Sequence, residues 1–132
     1  MTDKENYVKS AYAETWLEDG IVVQSVNPAI SELNLQMAKQ LVVDRKIASG
    51  AEERAVAVLV IPNNSINIDK DVKEYYNMSE PYVNINAIAI LIDNPIILFI
   101  INIVLAFSRK KNVPTEIFNS KEKALRWLTQ YK

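Results

Sequence analysis

The residues whose chemistry could serve a binding site lie in one polar loop and one polar turn, each directly after an apolar run. They are Asn63, Asn64, Ser65, Asn67, Asp69, Asp93 and Asn94. The carboxyl ends of neighbouring strands in an open α/β sheet meet at one edge, and ligands favour that edge. The two segments therefore predict a polar recognition site. Asn, Ser and Asp also serve turns and helix caps, and the sequence favours this plainer role.

The chain contains neither histidine nor cysteine. Disulfides, zinc sites with Cys or His ligands, thiol catalysis and Ser–His machinery are therefore excluded. Asp93 could act as a general base only with a raised pKa and a close partner, and the sequence shows neither. Asp69 and Asp71 lack the ligand spacing of a calcium loop, and two glycines are too few for a phosphate-binding loop. We expect no metal, no cofactor and no enzymatic activity.

Length and composition predict one α/β domain over residues 1–132. The chain is 49% hydrophobic and 23% charged, as in ordinary globular proteins. Its 15 basic and 16 acidic residues leave a net charge of -1, which argues against a nucleic-acid partner. The polar N-terminus has no secretory signal and is expected to be frayed over residues 1–10. With no cysteine, these features favour a cytoplasmic protein.

The pattern of apolar residues predicts the elements that must position the polar loop and turn. Asp19-Gly20 indicates the tight turn of a hairpin over Tyr12–Val26. Strands are predicted at Ala55–Ile61, Ala87–Ile92 and Thr115–Phe118, and helices at Asn34–Ala48, Lys70–Met78, Pro95–Ser108 and from Asn119 or Ser120 to Tyr131. Alternating strands and helices imply a mixed, mostly parallel five-stranded sheet with an N-terminal β-hairpin and four helices.

The first predicted helix has a clear apolar face. Leu35, Ala38, Leu41 and Val42 recur at helical spacing, and Asn34 is placed to cap the first turn. The charged residues Lys39, Asp44, Arg45 and Lys46 are predicted to lie mostly off that face.

Four segments carry a resemblance to a known group. They are LEDGIVV (Leu17–Val23), MAKQLVVDRK (Met37–Lys46), AILIDNP (Ala89–Pro95) and VPTEIFNSKEKALRWL (Val113–Leu128). Together they resemble the small SpoIIAA-like domains of the STAS and SEC14-like group, which includes many bacterial proteins of unknown function. The match covers nearly the whole chain. It implies a mixed sheet with helices mainly on one face.

The resemblance also implies a regulatory role, because STAS domains act as switches when a kinase phosphorylates a serine at a helix start. Here the helix cap is Asp69, Ser65 lies several residues earlier, and the usual Asp-Ser-Ser-Gly pattern is absent. Phosphorylation of Ser65 stays a hypothesis. SEC14-like relatives bind lipids in larger domains, and this chain is too short to enclose a comparable pocket.

The segment Pro95–Ser108 is apolar almost all round, with Asn102 as its one polar residue between those ends. Asp93, Asn94 and Pro95 interrupt the longer apolar run, so a buried strand and helix are favoured over a transmembrane span. A helix this apolar needs cover on its outer face. We expect self-association as a homodimer through Ile97, Leu98, Ile100, Ile101, Val104 and Leu105. The alternatives are a partner protein, a membrane surface or a lipid-like ligand, and burial within the chain itself.

Overall fold

The computed structural model describes residues 4–50, 55–62, 67–92 and 111–132. The strands are β1 Lys4–Lys9, β2 Ala13–Glu18, β3 Ile21–Val26, β4 Glu32–Leu33, β5 Val56–Ile61, β6 Asn67–Ile68, β7 Ile85–Leu91 and β8 Thr115–Phe118. The helices are α1 Leu35–Ala48, α2 Lys70–Tyr76 and α3 Lys121–Leu128, and short 3₁₀ turns occupy Glu80–Tyr82 and Thr129–Tyr131.

The main sheet has six strands in the order β1-β2-β3-β5-β7-β8. The pairs β1–β2 and β2–β3 are antiparallel, and β3, β5, β7 and β8 are parallel to one another. The predicted mixed, mostly parallel α/β architecture is confirmed. The prediction of five strands was wrong, because β1 pairs with β2 from Lys4 opposite Glu18 to Lys9 opposite Glu14 where a frayed segment was expected.

The hairpin turn is the local feature that fixes the register of β2 and β3. Asp19 and Gly20 both adopt positive φ, 50° and 79°, as a type I′ turn requires. The ammonium group of Lys132 binds the turn from outside, at 3.1 Å from the Asp19 carbonyl oxygen and 3.1 Å from its Oδ2. The predicted hairpin is confirmed.

Side chains alternate between the two faces of the sheet, and each face carries its own core. One cluster packs under α3 and contains Trp16, Ile21, Val23, Ala57, Leu59, Ala87, Ala89, Ala124 and Leu128. On the other face Leu17, Val22, Val56 and Val58 pack with Ala48 of α1. Among the described helices, α1 therefore packs on one face of the sheet and α3 on the other.

The helix starts follow the sequence closely. Asn34 Oδ1 accepts a hydrogen bond from the Met37 N–H at 2.9 Å, and Ser120 Oγ accepts one from the Lys123 N–H at 3.4 Å. Helix α2 begins at Lys70 as predicted but ends at Tyr76, two residues early. The predicted helix Pro95–Ser108 lies outside the described residues.

Among the helices of the described ranges, none combines the length and the hydropathy that crossing a membrane requires.

Candidate functional site

The predicted recognition residues follow strands β5 and β7 in the sequence. Of these residues, Asn67 and Asp69 are described, whereas Asn63, Asn64, Ser65, Asp93 and Asn94 lie outside the described residues. The predicted interface residues Ile97, Leu98, Ile100, Ile101, Val104 and Leu105 also lie outside them. The structure shows how helices α1 and α2 begin next to Asn67 and Asp69.

A two-stranded sheet brings the starts of α1 and α2 side by side. Glu32 and Leu33 of β4 pair in parallel with Asn67 and Ile68 of β6. Asp69 is exposed and occupies the N-cap position of α2, as predicted, but its side chain makes no capping hydrogen bond. Its backbone N–H instead donates to the Leu33 carbonyl at 3.4 Å. Asp69 therefore orders the start of α2 through its backbone.

A depression of about 270 Å³ lies beside the ends of β1 and β3. Two of its polar side chains are used in local structure: Ser10 Oγ accepts hydrogen bonds from the Tyr12 and Ala13 N–H groups, and Glu14 accepts one from the Tyr7 hydroxyl. Within the described part of the chain, no three carboxylates lie close enough to hold a metal ion. The Ser10 and Glu14 side chains are thus already engaged within the fold.

One surface of the described residues that exposes large apolar side chains is the outer face of α1. Val43 and Ile47, one turn apart, are 46% and 51% exposed. Gln36, Lys39 and Lys46 are exposed along the same line. We call these five residues the α1 stripe. Residues at this spacing, i, i+3, i+7, i+10 and i+11, lie on one side of a helix.

Charged residues lie on the buried side of the same helix. Asp44 is 1% exposed and Arg45 is 8% exposed. Gln40 Nε2 donates to Asp44 Oδ1 at 2.7 Å, whereas Asp44 Oδ2 and Arg45 Nε are buried without a hydrogen-bond partner among the described residues. The prediction that Asp44 and Arg45 lie mostly off the packed face was wrong, because α1 is covered on two sides, by the sheet and by α2.

Burial changes the protonation chemistry around Arg45. Desolvation lowers the pKa of its guanidinium, and Tyr76, Tyr75 and Tyr82 oppose this shift only when they are ionised at high pH. Desolvation also raises the pKa of Tyr82 to about 12, and its hydroxyl donates to the Tyr76 carbonyl at 2.5 Å. The tyrosines of this group are therefore neutral at physiological pH.

A second polar group lies between α1 and the sheet. The fully buried Gln24 of β3 donates through Nε2 to Thr15 Oγ1 at 3.1 Å and to the Leu41 carbonyl at 2.9 Å. This side chain links two strands and the middle of α1 by hydrogen bonds. Such satisfied polar contacts fix one orientation of a helix on a sheet, which is why the α1 stripe faces outwards.

Sequence reasoning missed the α1 stripe, although one signal for it was present. Leu41, Val42 and Val43 are consecutive, and three consecutive residues span about 200° around a helix. One of them must lie away from a single apolar face. In the structure that residue is Val43.

Comparison with known proteins places the chain in a family. The family model of a domain of unknown function, DUF7793, matches residues 15–132. The chain belongs to this DUF7793 family. The match begins within β2, so β1 precedes it. No match was found among curated proteins.

A solved structure shows the fold of this DUF7793 chain. It is an uncharacterized protein of the DUF3478 family with a SpoIIAA-like fold, from Shewanella loihica PV-4. The two align with a TM-score of 0.57 and 12% sequence identity, over 96% of this chain and 93% of the other. The resemblance to SpoIIAA-like domains that the sequence indicated is thus confirmed for the fold.

Proposed function

We propose that the protein is a non-catalytic, cytoplasmic regulatory module that works by binding other proteins. The observation that carries this proposal is the α1 stripe, where Val43 and Ile47 face solvent while Asp44 and Arg45 are buried. A helix whose only task is to cover a sheet places its polar residues outwards.

The energetic argument concerns two adjacent apolar side chains. Fully burying one Val or Ile contributes about 1.5–3 kcal/mol, and each of these two is about half exposed. Single exposed aliphatic residues are common on protein surfaces. Here the pair lies one turn apart on an ordered helix, and contact with a partner would remove both from water together.

The non-catalytic part of the proposal is supported by the residue inventory. The whole sequence lacks histidine, the commonest general base, and cysteine, which carries the thiol nucleophile. The described tyrosines with raised pKa values are poor proton donors at neutral pH.

Photo-crosslinking in the native host tests the interaction. A photoreactive amino acid at Gln36 lies on the α1 stripe without altering Val43 or Ile47, and one at the exposed Arg126 on α3 is the control on the opposite face. We expect discrete protein adducts from position 36, their loss in the Val43→Ser/Ile47→Ser variant, and none from position 126. Equal adducts at both positions, or none at position 36, would contradict the proposal.

Self-association through residues 95–108 is a further part of the proposed function, supported by their sequence alone. A mass near twice 15.0 kDa by light scattering at increasing protein concentration would support a homodimer. The alternative, an apolar or lipid-like ligand beside the same segment, predicts a monomer that fatty acids or phospholipids stabilise in a thermal-shift screen. A monomer that no lipid stabilises would remove both.

A further inference from the structure

We infer that the α1 stripe binds an acidic amphipathic helix of another protein. This inference rests on the proposed function and adds the chemistry of the partner. It is argued from the charge of the stripe, from its shape and from what two copies of it would do to each other.

The charge of the stripe is entirely positive. Lys39 and Lys46 are exposed, and neither forms an ion pair with any acidic group in the described ranges. The Lys39 ammonium group lies 6.0 Å from the centroid of the Tyr75 ring, on the side of α1 that faces α2. A partner with carboxylates beside its apolar residues would therefore meet two ammonium groups that no carboxylate of the described residues neutralises, both on the same side of Val43 and Ile47 around the helix.

The shape of the stripe favours a helix as the partner element. Val43 and Ile47 form an i, i+4 ridge, and such ridges pack into the grooves between the side chains of a second helix. From Gln36 to Ile47 the stripe extends about 16 Å at 1.5 Å per residue. That length matches about three turns of a bound helix.

A second copy of this chain fits the stripe poorly. A two-fold contact between two α1 helices would place Lys39 and Lys46 of one copy against the same residues of the other. The exposed residues of the stripe include no acid that could offset this repulsion. Like charges across an interface cost several kcal/mol.

A membrane surface fits less well than a protein. Helices that lie in a bilayer interface insert a broad apolar face, rich in Trp, Phe and Leu, about 5–10 Å deep. The α1 stripe offers only Val43 and Ile47, and the apolar residues Ala38, Leu41 and Val42 on its other sides are held in the core. Two aliphatic side chains on a fixed helix give too little area for such insertion.

Charge reversal tests the inference in the protein that carries the photoreactive amino acid at position 36. We expect Lys39→Glu/Lys46→Glu to lower the adduct yield at least about tenfold, the effect of a loss of about 1.4 kcal/mol. The matched control, Lys123→Glu/Arg126→Glu on α3, makes the same change in net charge on the opposite face and should leave the yield unchanged. Circular dichroism of both variants checks that the fold is kept.

The crosslinked partner segment supplies the second readout. We expect mass spectrometry to identify a segment of another protein with Asp or Glu along one side of its apolar residues. A synthetic peptide of that segment should bind the purified chain less tightly as the KCl concentration rises.

Three results would overturn the inference. One is an adduct yield that the charge reversal leaves unchanged, which would keep the proposed interaction but remove its acidic partner. Another is a crosslinked segment that belongs to a second copy of this chain. The third is binding to vesicles of phosphatidylserine and phosphatidylcholine that only the Lys39→Glu/Lys46→Glu variant loses.

Discussion

At the scale of single residues, Asp44 and Arg45 stand out because burial normally requires a charge to be paired. The two side chains are adjacent in sequence, yet they form no ion pair with each other or with other residues in the described ranges. Taking an ion out of water costs several kcal/mol of free energy, and an unpaired buried charge regains little of it. Removing one of these charges from α1 should therefore raise the free energy of unfolding.

The first prediction concerns Arg45. Arg45→Met keeps an unbranched side chain and removes the guanidinium group, whose pKa is lowered by desolvation. We expect the free energy of unfolding, measured by urea denaturation, to rise by about 1–2 kcal/mol. The exposed neighbour Lys46→Met is the control and should change it by less than about 0.5 kcal/mol. A loss of stability at Arg45 would show that its charge is compensated in the fold.

The second prediction concerns Tyr82 at high pH. Its folded-state pKa is about 12, above the ordinary value of 10.0, so the stability it contributes is complete below pH 10 and is lost as pH rises towards 12. We expect the free energy of unfolding to fall across that window, and Tyr82→Phe to make the fall smaller. Tyrosinate absorbance of the folded protein, compared with that of Tyr82→Phe, gives the pKa of Tyr82. A pKa near 10 would contradict the prediction.

At the scale of elements, sequence-local chemistry sets the beginnings of helices and the hairpin turn. Asn34 and Asp69 both hold the N-cap position with extended backbone, but only Asn34 makes a side-chain capping bond. Asp69 is held by the β4–β6 pairing instead. The same type of position thus depends on a side chain in one helix and on a backbone contact in the other.

The third prediction separates these two caps. Asn34→Ala removes the hydrogen bond to the Met37 N–H and should lower the free energy of unfolding by about 1 kcal/mol. Asp69→Ala removes no capping bond and should cost less than about 0.5 kcal/mol. Chemical denaturation of the two variants side by side measures the difference, and equal losses would contradict it.

The elements that the sequence predicted are those that local signals determine. Asp19-Gly20, Asn34 and the apolar strand at Val56–Ile61 each act through neighbouring residues, and the structure has them as predicted. β1 was missed because its sequence, KENYVK, has little apolar alternation and forms a strand only by pairing with β2. The burial of Asp44 and Arg45 was missed for a similar reason, since α2 packs against α1 from a distant part of the sequence.

At the scale of the whole molecule, β1 extends the sheet beyond the residues that the family model matches. It covers Trp16 with the Tyr7 ring, whose centroid lies 6.4 Å from that of Trp16, and with the Lys4 ammonium group at 4.1 Å. The Asn6 side chain, at a bulge in the strand, donates to the Ala48 carbonyl at the end of α1. β1 thus joins the edge of the sheet to the helix that carries the α1 stripe.

The fourth prediction tests β1 by truncation. Removal of residues 1–9 leaves β2 as an unpaired edge, uncovers Trp16 and removes the bond to Ala48. We expect the free energy of unfolding to fall by at least about 2 kcal/mol. Glu5→Ser/Lys9→Ser keeps the backbone pairing and the net charge and should cost less than about 0.5 kcal/mol. A truncated chain as stable as the intact one would show that β1 adds nothing to the fold.

The contact between Lys132 and the hairpin turn brings the first and last described residues to the same side of the sheet edge. Lys4 pairs opposite Glu18, and Lys132 binds Asp19, so the first and last described residues meet beside one turn. A short glycine linker from Lys132 to Lys4 would close the backbone into a ring without crossing either face of the sheet. Fluorophores attached at Lys4 and Lys132 would lie near each other, beside the start of β3 and away from the edge where the parallel strands end.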